Sequence, residues 1–168
     1  MQDSPKSDLI DLVNHEHHHL TQLFGSLHAT FEALANGALD PRERSEVVET
    51  AAEDLQTAFD DMLHHFSQEE EVFFVEMERR FPELAEPIAE LVATHEFIHE
   101  RTRWLQNALR FDAGKLADNV APIHDTLKTL NETMREHTRA ENEIFIAALR
   151  RMTPAERESL LRRMREVG

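Results

Sequence analysis

From Leu9 to Leu34 apolar side chains return at steps of three and four: Leu9, Leu12, Val13, Leu20, Leu23, Phe24, Leu27, Phe31 and Leu34. That is the period of a helix with one buried face. It predicts a helix A from about Ser7 to Asn36, stopped by Gly37. Asp40-Pro41, with Glu43 three residues beyond the aspartate, reads as an N-cap, a first-turn proline and a capping-box partner. Helix B then carries Val47, Val48, Ala51, Leu55, Phe59, Met62, Phe66, Phe73 and Met77 until Phe81-Pro82 breaks it, and so long a helix invites a kink. Helix C has Pro87 in its first turn, continues through Ile88, Leu91, Val92, Ile98, Leu105 and Leu109, and closes at "FDAGK". Helix D is expected to start near Asp118 or Asn119, to hold Pro122 in its first turn, and to carry Ile123, Leu127, Leu130, Met134, Ile144 and Phe145. In "TPAERESLLRRMREVG" a separate short helix follows, with Thr153 as cap, Pro154 in the first turn and Glu156 as capping-box partner.

No strand pattern competes with these helices. Four long amphipathic segments with short connections predict an all-α fold, an up-down-up-down four-helix bundle over about residues 7–152 with a short additional C-terminal helix at about 154–166. The 168 residues fit a single domain, 1–168, large enough to bury a core without staples. For the arginine-rich last helix a solvated end is the plainer reading, with docking on the acidic bundle or on a second chain as the alternative.

Composition narrows the chemistry. The formal net charge of −15 opposes phosphate backbones and anionic lipid, which argues against nucleic acid and membrane as partners. With no cysteine there is neither a disulfide nor a thiolate metal site, so any ligand set comes from histidine, aspartate and glutamate. No apolar run reaches membrane-spanning length and "MQDSPKSDLIDLV" lacks a basic stretch followed by an apolar one; a cytoplasmic protein is expected. Eleven histidines are many for this length.

Several of them interrupt the apolar stripe. His65 lies three after Met62 and Glu69 three after Phe66, while His137 lies three after Met134 and Glu141 three before Ile144. Residues four apart on a helix are offset by about 40° and ~6 Å, so His65 with Glu69, His95 with His99, and His137 with Glu141 can each converge on one point. A carboxylate buried alone would face a desolvation cost of several kcal/mol, and a shared cation offsets it. On helix A, His17 falls nearest the apolar face; His15 and His18 point away, and His19 and His28 sit at its edge, with surface or boundary packing the plainer reading for these as for His64 and His124. The candidate metal ligands are therefore His17, His65, Glu69, His95, His99, His137 and Glu141. Seven ligands are too many for one zinc. Two six-coordinate metals offer about twelve positions, and five imidazoles, two bridging carboxylates and a bridging oxo or hydroxo group leave about one open for a small ligand. Imidazole and carboxylate suit iron among the redox metals that bind dioxygen without thiolates.

The motifs "EHHHL", "HFSQEE", "HEFIH" and "HTRAENE", one on each successive helix, resemble the hemerythrin-like (HHE cation-binding) family over about residues 9 to 150. The resemblance implies a four-helix bundle around two non-haem iron ions that react with O2, NO or H2O2. It implies further that His95, His99 and His137 saturate one iron, that His17 and His65 hold the iron with the open position, and that Glu69 and Glu141 bridge. Oxygen-carrying members typically have an aspartate five residues after the last histidine, where this chain has Asn142; Glu141 instead resembles a wider bacterial group of sensors, iron-handling and peroxide-reactive proteins. The sequence names no redox or signalling partner.

Two rival readings remain. Glu16-x-x-His19 and Glu96-x-x-His99 fit a ferritin-like, iron-handling di-iron site, and a metal-free helical adaptor would satisfy its histidines by hydrogen bonds. Within the di-iron reading, a carrier needs an apolar pocket, for which Phe24, Phe66, Phe73 or Trp104 are available, and a catalase-like enzyme needs a proton relay, for which Glu70, His64 or Glu16 are available. Tyrosine is absent, so no phenol donor assists radical chemistry.

Overall fold

A computed structural model describes residues 9–37, 39–110 and 113–167, with side chains at 10, 12–16 and 113–119 outside the described set. The expected start at Ser7, the apolar contributions of Leu12 and Val13, and the side chains of His15 and Glu16 lie outside it. The described residues are helical, without strands: α1 (Leu9–Ala35), α2 (Pro41–Gln68), α3 (Phe74–Arg80), α4 (Ala85–Leu109), α5 (Ala113–Arg150) and α6 (Pro154–Arg165). None of these helices is long and apolar enough to cross a membrane.

Local chemistry sets the ends. Gly37, at φ 69°, takes the left-handed conformation that lets the chain leave α1, a position where a side chain would be strained. Asp40 caps α2, its Oδ1 accepting from the backbone N–H of Arg42 and Glu43 at 3.0 and 2.9 Å while Glu43 accepts from the Asp40 N–H. Thr153 and Glu156 build the same reciprocal box at the start of α6.

Two boundaries differ from the sequence expectation. Helix B is divided: a π-helical turn over Glu69–Phe73 separates α2 from α3, so the interruption expected of so long a helix takes the form of a widened turn beginning at Glu69. α5 begins at Ala113, earlier than Asp118, so Gly114 lies inside it and Pro122 is interior rather than first-turn. Proline removes one backbone hydrogen bond there, and the buried Ile123, Leu127 and Leu130 that follow hold the helix in place by packing.

The bundle packs α1 against α2 and α5, and α4 against α2 and α5. Its core divides into two apolar clusters. One includes Leu20, Phe24, Phe31, Leu55, Met62, Phe66, Ile98, Leu105, Leu127 and Met134. The other gathers Leu9, Phe73, Phe74, Met77, Leu91, Phe145 and Leu149 with Leu160, Leu161 and Met164 of α6. The last helix therefore docks on the bundle instead of forming the solvated end that its arginines suggest, because Leu160, Leu161 and Met164 are buried in this cluster. Gln68 Nε2 donates to the Met164 carbonyl at 3.1 Å, and the buried Glu76 carboxylate receives Arg79 and Arg80 at 2.7 Å each and Arg163 of α6 at 3.5 Å. Arg80 also pairs with Glu156.

Candidate metal centre

Along each long helix, histidine falls between the residues of the two clusters. On α1 the order is Leu9, His17, Leu20; on α2 and the turn after it, Met62, His65, Glu69, Phe73; on α4, Leu91, His95, Ile98; on α5, Met134, His137, Glu141, Phe145. His17, His65, Glu69, His95, His137 and Glu141 are all buried, with 1–4% of their surface exposed. A polar layer thus interrupts an apolar core on every long helix.

The two carboxylates organise that layer. Glu69 directs Oε1 toward His65, which it meets as an ion pair, and toward His17 Nε2 at 3.4 Å, while its Oε2 lies 3.8 Å from His95 Nε2. Glu141 mirrors this: Oε2 is 2.6 Å from His17 Nε2, and Oε1 is 2.7 Å from His137 Nε2 and 3.5 Å from His95 Nε2. Each glutamate therefore splits its oxygens between two imidazole pairs, His17 with His65 and His95 with His137. One donor atom from each of His17, His65, Glu69 and Glu141 lies within 4.8 Å of the others, and the same holds for Glu69, His95, His137 and Glu141.

Protein contacts alone leave this layer unsatisfied. Glu69 Oε2 and Glu141 Oε1 are buried without a hydrogen bond of acceptable geometry, although histidine nitrogens stand close to both. The Nε2 atoms of His95 and His137 approach to 2.8 Å, although two imidazoles can share only one proton between them. Burial would lower the His17 pKa, but hydrogen bonds with Glu141 and Glu69, and their charges, raise it to about 9. Burial would likewise raise Glu141, yet close polar contacts with Glu69, His137, His17 and His95 hold it well below the ordinary carboxylate range. The raised His17 reflects the two carboxylates beside it and the lowered Glu141 reflects the imidazoles around it, so both glutamates face a ring of nitrogen donors that a cation can share. Histidine nitrogen and carboxylate oxygen without thiolate form a donor set that suits iron.

A family model for the hemerythrin HHE cation-binding domain matches residues 8–149. The chain belongs to the hemerythrin HHE family. Comparisons with curated proteins and with solved structures returned no match.

In this hemerythrin-like chain, six of the seven sequence candidates come together and one does not. His99 is half-buried, stacks on Phe59 with ring centroids 5.4 Å apart, and belongs to neither donor group. It lines a cavity of about 250 Å³ with Leu63, Phe66, Ser67, Glu70, His95 and Glu96. Asn142 is likewise outside both groups, and the acidic residue brought inward on α5 is Glu141. Of the ferritin-like pairs, the Glu16 side chain lies outside the described set, His19 is exposed beside Asp61 at 3.5 Å, and Glu96 is exposed. His18 and His64 face solvent, and His28 stacks on His124 at 4.8 Å in a separate contact. Of the aromatic residues considered for a pocket, Phe66 stacks on His95 at 3.7 Å, Phe24 and Phe73 lie in the flanking clusters, and Trp104 is exposed.

Proposed function

We propose that this protein is a non-haem di-iron protein in which His17 and His65 hold one iron, His95 and His137 hold the other, and Glu69 and Glu141 bridge them. The observation that carries this reading is the division of each carboxylate's oxygens between the two imidazole pairs. The reading also takes the four long helices as an up-down-up-down bundle. In support, α1 and α4 pass from the α6-side cluster to the other, whereas α2 and α5 pass in the opposite sense.

Bound iron would supply a redox-active Lewis acid with room for a small ligand, and O2, NO or H2O2 is the class we assign. The chain's own residues do the rest. Phe66 and Phe74 stack on the His95 ring at 3.7 and 5.6 Å and fix its plane. Phe73 and Phe145, packed together at 4.8 Å, close one end of the layer, and Met62, Ile98 and Met134 close the other; both ends are apolar.

Peroxide chemistry of the catalase-like kind is favoured by one feature, the cavity that ends on His95. Its walls include Ser67, Glu70, Glu96 and His99, which offer hydrogen bonds to a polar guest that dioxygen and nitric oxide scarcely use. Stopped-flow absorption of the diferrous protein mixed separately with O2, NO and H2O2 tests the function. A lasting spectral change with oxygen or nitric oxide supports carriage or sensing, rapid turnover of peroxide with gas release supports the enzyme, and no change with any of the three contradicts the proposal.

A further inference from the structure

Consecutive side chains on an α-helix diverge by about 100°, so neighbours do not normally address the same group. Glu69 and Glu70 do. They open the π-helical turn, and between them they flank one imidazole: Glu69 Oε2 lies 3.8 Å from His95 Nε2, and Glu70 Oε1 lies 3.0 Å from His95 Nδ1. The outer nitrogens of His17 and His137 contrast with this, since both Nδ1 atoms are buried with no hydrogen-bond partner. Glu70 itself is half-buried, with 38% of its side chain exposed on the wall of the α2–α4 cavity, so it approaches His95 from outside the layer.

An imidazole that donates through one nitrogen keeps a lone pair on the other. We propose that Glu70 is a positioning residue of the centre: by accepting a hydrogen bond from His95 Nδ1–H it fixes the tautomer in which Nε2 faces Glu69, His137 and Glu141 as a lone-pair donor. The carboxylate also limits rotation of the ring, already stacked on Phe66. The widened turn begins at these two glutamates. Outer carboxylates of this kind orient a ligating histidine and raise its basicity, and their loss typically weakens metal binding by about 10- to 100-fold.

The inference rests on the di-metal reading for its consequence but not for the geometry of His95, so two measurements separate them. The first is the imidazole ¹⁵N shifts of His95 in the metal-free chain, read at a pH high enough that the ring is neutral and its two tautomers are distinguishable. Wild type and Glu70→Gln, whose amide oxygen still accepts, are expected to show protonated Nδ1, whereas Glu70→Ala and the near-isosteric Glu70→Met shift His95 toward the other tautomer. The second is Co(II) affinity by chelator competition: about 10- to 100-fold weaker for Glu70→Ala and Glu70→Met, with recovery in Glu70→Gln, while Glu96→Gln on the same cavity stays within about twofold. Unchanged ¹⁵N shifts in Glu70→Met, which keeps the bulk of the helix turn, overturn the proposal. Normal shifts in the wild type with no Co(II) binding at all contradict the di-metal reading and leave the role of Glu70 standing on the tautomer.

Discussion

Removing a buried ligand and removing a buried apolar side chain have opposite signatures. Leu55, fully buried in the cluster away from α6, belongs to neither donor group, so Leu55→Ala is expected to cost about 2–5 kcal/mol of stability while metal content per chain stays unchanged. His65→Ala removes an imidazole from one donor group and is expected to lose most bound iron, checked by metal analysis after anaerobic reconstitution. Full iron in that variant counts against His65 as a ligand. Much of this site is legible in the sequence because an i,i+4 pair of His and Glu inside an apolar stripe leaves little else to explain it. His99 shows where spacing stops: taking Leu91 as the inward direction of α4, His95 lies about 40° round the helix and His99 about 80°, at the edge of the face, where Phe59 receives it. The direction of Glu70 has no signature in spacing at all, since it depends on a local change of hydrogen-bond register.

Elements carry their own test at the junction of α3 and α6. Hydrogen bonds from Arg79, against a burial effect of opposite sign, and then from Arg80 lower the Glu76 pKa to about 2. A carboxyl whose folded pKa is depressed stabilises the fold above its unfolded pKa of about 4.3, and that stabilisation disappears as pH falls toward about 2. Glu76→Gln is therefore expected to be less stable than wild type by about 2 kcal/mol at pH 7, a difference that shrinks between about pH 4.5 and pH 2 in denaturant titrations. A gap independent of pH over that window excludes the carboxylate charge as its cause. Helix existence and caps were readable here, at Asp40 and Thr153 above all, because capping boxes are written in adjacent residues. The π-helical turn and the early start of α5 were not. Both are decided by tertiary packing, which buries Phe73 with Phe74 and Ile123 with Leu127 regardless of the glycine and proline that local propensity would have used as stops.

At the scale of the whole molecule, six buried imidazoles and carboxylates separate two apolar clusters, and the desolvation of these groups opposes folding until cations occupy the layer. Metal that binds only the native state adds about 2.7 kcal/mol at a hundredfold excess over its dissociation constant, which for a chain of this size raises Tm by about 5–10 °C. Chelation is expected to reverse that rise; equal Tm values with and without metal contradict it. The most direct test is metal stoichiometry itself, with X-ray absorption on the same sample, for the chain reconstituted anaerobically with ferrous iron. Two irons per chain in an environment of nitrogen and oxygen donors, falling to one or none in Glu69→Ala and in Glu141→Ala, is the expected result. One iron or none in the wild type, or two that persist when both glutamates are replaced, contradicts a centre built on two shared carboxylates.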